Sequence, residues 1–126
     1  LDIRKEKPTA TLLKRFWTEY DPDEEVKAFT EEIVKGTFKH LLAIDGKILA
    51  SAKNWSLDRM ASVDRNVLRM AAYEILYRMD IPLSVTINEA IELAKKYGTD
   101  DSGAFVNGIL DSVARTAGKV DAKDLR

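Results

Sequence analysis

The stretch Val63-Asp64-Arg65-Asn66-Val67-Leu68-Arg69-Met70-Ala71-Ala72-Tyr73-Glu74-Ile75-Leu76 decides how this chain is read. Val67, Leu68, Ala71, Ala72, Ile75, Leu76 and Met79 fall into two adjacent i, i+4 rows. So wide an apolar face predicts a central, heavily buried helix. Asp80-Ile81-Pro82 ends it, because proline cannot continue a helix. Downstream, Ile87, Ala90, Ile91, Ala94 and Tyr97 form a single stripe closed by Gly98 as a C-terminal cap. Thr86 and Glu89 have capping-box spacing, with a start nearer Ser84 as the other option. A last helix carries Phe105, Val106, Ile109, Leu110 and Val113, with Thr99 or Asp101 near its start. After Gly118 the chain reads as a polar, frayed tail.

Upstream, Leu12, Leu13, Phe16, Trp17 and Tyr20 share one stripe behind Pro8 and Thr9. Asp21-Pro22 interrupts it and supplies a cap followed by an N1 proline. Val26, Phe29, Ile33, Phe38, Leu41, Ile44 and Ile48 then keep a spacing of three to four, which predicts a long helix. Gly36 and Gly46 are the expected places for a kink or a split. Trp55, Leu57 and Met60 sit in a short linker with Ser56 as a cap. No useful length shows the period-2 alternation of a strand. The expectation is an all-α bundle of roughly five to seven helices.

Composition sets the bounds. The 126 residues suit one domain, and 45% hydrophobic residues suffice for a core. The formal net charge is -1, from 20 basic and 21 acidic residues. A protein that coats DNA carries a clear basic excess instead. There is no cysteine, which excludes disulfides and thiolate metal sites and points to a reducing, intracellular setting. No apolar run approaches the ~18 residues that span a bilayer. No signal peptide is visible either. Acidic residues crowd Asp21 to Glu32, and basic ones crowd Ile33 to Arg65. Solvated helix faces account for this most simply.

Little of the sequence suggests catalysis. His40 is the single histidine, and a zinc site needs three or four ligands. No nucleophile elbow, phosphate-binding loop or dinucleotide fingerprint is present. Glu89 and Glu92 lack the Glu-x-x-His partners of a di-iron bundle, and Glu92 suits an ion pair with Lys96. Arg4, Lys5, Lys7, Lys14, Arg15, Phe16 and Trp17 interleave charge with aromatics, as RNA binding requires. The stripe they share with Leu12 and Leu13 makes Phe16 and Trp17 better core residues. Two features stand out. Thr99-Asp100-Asp101-Ser102-Gly103 places two carboxylates and two hydroxyls at a helix start, more than capping needs. Asn107-Gly108 sits inside the last helix, where glycine costs ~1 kcal/mol and suggests a close backbone approach or a buried hydrogen bond.

Those residues carry a specific resemblance. Val63 to Leu76 resembles the central helix of the NusB family. Pro82 followed by Ile87-Asn88-Glu89-Ala90-Ile91-Glu92-Leu93-Ala94-Lys95-Lys96-Tyr97-Gly98 is similar to its next helix, and Phe105-Val106-Asn107-Gly108-Ile109-Leu110-Asp111 to its last. Phe29 to Gly36 and Asn54 to Arg59 match more loosely. The resemblance implies two packed helical subdomains, here residues 1–60 and 61–118, with a polar tail over 119–126. It implies a cytoplasmic bacterial antitermination factor without catalytic activity or cofactor. Such a factor holds boxA RNA together with the ribosomal protein NusE on the elongating RNA polymerase complex in ribosomal RNA operons. It also implies an arginine-rich first helix, of which Leu1-Asp2-Ile3 look like the last residues, so that most of that helix is expected to be missing from this chain. Some members pair as homodimers.

By the same resemblance, Asp101, Ser102 and Phe105 are the expected RNA contacts, with Phe105 as a stacking ring. Gly103 and Ala104 depart from the polar and basic residues found there in many members. Asp64 matches an acidic position that faces NusE, and Tyr73 and Glu74 lie along the same helix. Core packing is the other reading of Tyr73. Asn107 and Gly108 are expected to be structural, with Asn107 as a hydrogen-bond hub. A second function fits the same resemblance, the NusB-like RNA-binding domain of a ribosomal RNA cytosine methyltransferase. That enzyme would need a downstream α/β domain with a catalytic cysteine.

Overall fold

A computed structural model describes residues 23–53 and 55–119. The expectations for Leu1-Asp2-Ile3, the stripe from Leu12 to Tyr20, Asp21-Pro22 and the tail beyond Lys119 lie outside these residues. Five α-helices are described: α1 (Glu24–Lys39), α2 (Leu41–Ser51), α3 (Ser62–Tyr77), α4 (Leu83–Tyr97) and α5 (Ser102–Ala117). A 3-10 turn, Leu57–Arg59, links α2 to α3. No strand occurs among the described residues.

The start of α1 is built by Asp23. Its Oδ1 accepts from the Val26 N–H at 3.0 Å, while Glu24 and Glu25 place negative charge at the positive end of the helix. The long apolar period divides at His40, not at either glycine. His40 ends α1 and begins α2, and its φ of -106° and ψ of 20° turn the chain. Its N–H still reaches Gly36 O at 3.1 Å, and its carbonyl still receives Ile44 N at 3.0 Å. The break therefore costs few backbone bonds. Outside the backbone, the imidazole stacks on Tyr77 at 4.0 Å. Gly46 has no neighbour within 4 Å of where a Cβ would stand. Gly36 has a packing reason instead, because a Cβ there would run into the Tyr73 ring.

Helix α3 is the axis of the fold. Leu68, Ala72 and Ile75 are fully buried. Around them lie Ile44 and Ile48 from α2, Ala94 from α4, and Val106, Leu110 and Val113 from α5. Helices α4 and α5 pack on α3 and most extensively on each other, while α2 lies across α3 and α5. Small residues at Ala71, Ala72, Ala90 and Ala94 let the backbones approach. Met79 falls beyond the end of α3 and is 67% exposed, so the apolar row stops at Leu76.

Three basic residues fasten this axis. Arg69 is 2% exposed and forms a bidentate pair with Asp45 of α2, Nε to Oδ1 at 2.8 Å and Nη2 to Oδ2 at 2.9 Å. Arg65 Nη1 donates to the carbonyls of Leu57 and Met60 at 3.2 and 3.3 Å, holding the 3-10 turn against α3. Lys119 Nζ donates to the carbonyls of Glu74 and Arg78 at 3.3 and 3.1 Å, closing the C-terminal end of α3.

The capping box expected at Thr86 does not form. Helix α4 starts at Leu83 behind Pro82, so Thr86 lies inside it, buried, and donates to Glu74 Oε1 at 2.9 Å. Lys96 lies over the Tyr97 ring at 5.3 Å, and the expected ion pair with Glu92 is absent among the described residues. Gly98 takes the C-cap of α4 with an extended backbone, and Gly118 ends α5 in the left-handed region at φ 75°.

Removing one partner of a buried ion pair leaves the other charge stranded. Asp45→Ala should therefore cost about 3–5 kcal/mol in urea unfolding. The double change Asp45→Leu with Arg69→Met should recover most of that loss. A cost for Asp45→Ala of under about 1 kcal/mol, the size of an exposed pair, would show that the bridge is not structural.

Candidate nucleic-acid and partner interfaces

The first turn of α5 is ordered by Ser102. Its Oγ accepts the Thr99 N–H at 2.9 Å and lies 3.3 Å from the Thr99 hydroxyl. Ser102 is buried, so among the three residues expected to touch RNA it is a loop organiser. Asp101 occupies the N-cap position without a side-chain capping bond, and it is exposed. Phe105 is half-buried and packs against the core. Its ring meets Trp55 edge-on, with centroids 5.6 Å apart and planes at 69°. Gly103 is buried, and a Cβ on it would stand 3.2 Å from the Lys95 stem, which would have to give by a few tenths of an ångström.

The hub expected at Asn107 is not there. Asn107 and Gly108 are both exposed, and no described residue comes within 4 Å of a Cβ on Gly108. The reason is periodicity. Val106, Ile109, Leu110 and Val113 define the buried stripe, and positions 107 and 108 fall outside it.

The residues expected to face a protein partner separate along α3. Asp64 lies in the first turn and is 8% exposed, with Oδ1 lacking a hydrogen-bond partner among the described residues. Tyr73 is buried over Gly36 and stacks toward Tyr77 at 5.6 Å. Its core reading is the one the geometry favours. Glu74 is partly buried and lines an open cavity of about 570 Å³ between α1, α3 and α4. Ile33, Val34, Met70, Val85 and Leu93 make that cavity apolar, and Glu74 and Glu89 give it an acidic edge. Phe29, Val85 and Leu93 leave large apolar surface exposed at its rim. Arg78 closes one side, paired with Glu32 and Asp80 at 2.9 Å each and lying over the Phe29 ring.

Burial pushes the Glu74 carboxyl above its ordinary range, and the Glu89 charge adds to this. The Thr86 hydroxyl, Arg78 and Lys119 pull the other way without cancelling it. Beside Arg78, Asp80 is held below the usual carboxylate range by its hydrogen bonds to the guanidinium. No group of three or more His, Cys, Asp or Glu among the described residues could hold a metal ion. None of the described helices is long and apolar enough to cross a membrane.

A raised carboxyl favours the folded state while protonated, and that contribution is lost as pH rises through the folded value. Glu74→Gln keeps an acceptor for Thr86 and removes the ionisation. It should therefore raise the melting temperature at pH 7 to 8, with the gain shrinking to nothing as pH falls below the ordinary glutamate range. An equal effect at every pH would overturn this reading of Glu74.

Sequence reasoning left three contributors unnamed: Arg69, Trp55 as a ring beside Phe105, and the cavity opening onto Glu74. Arg69 could have been found, since it shares a helix face with Leu68 and Ala72.

A family model described as the NusB family matches residues 1–115. The transcription antitermination protein NusB of Sorangium cellulosum is 49% identical over 110 residues, covering 87% of this chain and 79% of its own length. That of Anaeromyxobacter dehalogenans (strain 2CP-1) is 57% identical over 103 residues, covering 81% and 72%. Among solved structures, T. maritima NusB superposes with a TM-score of 0.71 at 39% identity, over 90% of this chain and 87% of that one. A chain in the crystal structure of a plectonemic RNA supercoil reaches 0.82 at 28% identity, over 91% and 83%. On these matches the chain belongs to the NusB family of transcription antitermination proteins, RNA-binding factors that catalyse no reaction.

Proposed function

We propose that this protein is a cytoplasmic antitermination factor that holds boxA RNA jointly with the ribosomal protein NusE on the elongating polymerase complex, in ribosomal RNA operons. Family membership over residues 1–115 carries this reading. The RNA in the structure of the 28% identical fold neighbour is in keeping with it.

RNA meets the start of α5. Phe105 offers a ring for a base, Asp101 offers acceptors for base amino groups, and Ser102 keeps both in place from behind. The protein partner meets the cavity side, where Glu74 and Glu89 answer basic side chains and the apolar wall takes the aliphatic ones. Asp64 and Tyr73 shape that helix from within. The mechanism is scaffolding: two moderate interfaces on one rigid core raise each other's occupancy through effective concentration.

A fluorescence-anisotropy titration of boxA RNA with the full-length protein tests this. NusE should tighten binding, scrambled RNA should bind less well, and affinity should fall steeply between 50 and 200 mM salt. Binding indifferent to both NusE and RNA sequence would overturn the reading.

A further inference from the structure

Trp55 has no place in the core, yet it is held in a fixed position. Its backbone N–H donates to the carbonyls of Ala52 and Lys53 at 2.8 Å each. Beyond it, Arg65 grips the Leu57 and Met60 carbonyls. The ring is 49% exposed, and its indole N–H has no partner among the described residues. One side leans on Phe105. A large ring left so open in a pinned loop forgoes apolar burial that the fold could have used.

Its surroundings suit one kind of occupant. Lys53 and Arg59, two and four residues away, are exposed and form no ion pair among the described residues. They belong to the basic stretch that the fold leaves unexplained. On the α5 side, Ala104 and Gly108 flank Phe105 and present almost no side chain, while Asn107 adds an exposed amide. Aromatic faces, flanking cations and a low shelf match a single nucleic-acid strand, whose bases stack while its phosphates find the cations. A protein partner would favour an apolar surround, and that lies on the cavity side.

We infer that Trp55 and Phe105 together form a two-ring stacking platform for single-stranded RNA, with Lys53 and Arg59 contacting its backbone. This rests on the RNA reading above and extends it to a second element of the fold. Trp55 carries the exposed face, and half-buried Phe105 sets its angle.

Trp55→Ala, Trp55→Phe and Lys53→Ala in the full-length protein, titrated with boxA RNA and separately with NusE, test the platform. Trp55→Ala should weaken RNA binding roughly 5- to 150-fold, the range for losing one stacked base, and leave NusE affinity unchanged. Trp55→Phe should retain most of the affinity but show less RNA-induced quenching of tryptophan fluorescence than the wild type, since only Trp17 then remains to report. Lys53→Ala should reduce the salt slope by about one, while Trp55→Ala should not alter it. Wild-type affinity in Trp55→Ala, with RNA binding intact, would overturn the platform and leave the proposed function standing. A loss of NusE binding or of melting temperature in both Trp55 variants would assign the ring a protein-binding or structural role and overturn it too. Failure of the wild type to bind RNA would remove both readings.

Discussion

The structure depends on a charge placed where apolar residues would be expected. Arg69 sits at the middle of α3, almost wholly enclosed, and its guanidinium lies against Asp45 of α2 in fork-to-fork geometry. Such a pair contributes little net stability, because two desolvated ions must first be offset. What it supplies is position. Helix α2 has 11 residues and no side-chain cap at its start. Isolated helices of that length are marginal in water. Its buried residues, Ile44 and Ile48, contribute apolar contact, which is non-directional. Two parallel N–H to O bonds are directional. The end of α2, and with it the loop that bears Trp55, is therefore located by a bridge formed one turn inside the helix.

Arg65 extends this logic to the other side of the same loop. It reaches back from α3 to two carbonyls of the 3-10 turn, so the segment between α2 and α3 is held at both ends. Lys119 does the equivalent for the last turn of α3. These cations add a donor to carbonyls at helix ends and tight turns, three of which, those of Leu57, Glu74 and Arg78, also accept a backbone N–H. In a chain whose formal charge is only -1, such residues are spent on internal geometry. The exposed cations near Trp55 differ because the fold leaves them unused.

How much was legible follows from the kind of signal. The packing of α3, α4 and α5 follows apolar spacing, because burial of one face dominates helix placement. Resemblance singles out Asp101, Ser102 and Phe105 as expected RNA contacts, and the fold leaves Asp101 exposed, Ser102 buried and Phe105 half-buried beside Trp55. Misreadings arose where a local rule met tertiary context. Thr86 satisfies a capping pattern but finds a better partner in the Glu74 carboxylate across the helix interface. Glycine suggested the break in the α1–α2 run, yet the run divides at His40, whose ring stacks on Tyr77, and no spacing rule shows a contact between distant rings. Asn107-Gly108 looked like a hub because helical glycine is costly, while its exposure moves the explanation to the surface. Spacing places Trp55 in the linker but cannot show its ring contact, since its neighbour Phe105 is fifty residues away in sequence.

A single helix serves both faces of the molecule. From Arg65, which pins the Trp55 loop, to Glu74, which opens on the apolar cavity, α3 rises about 13 Å at 1.5 Å per residue. The helix is buried on most sides between these points, so neither end can shift without disturbing the packed residues around Leu68 and Ala72. Rigidity of this kind suits a scaffold. A flexible link between two binding faces would dilute the effective concentration that one bound ligand gives the other. A stiff one fixes it, and under the proposed function it would also fix the angle between RNA on one face and protein on the other. Under the proposed function, the core of α3 would link the two surfaces rigidly, with its buried arginine holding α2 against it.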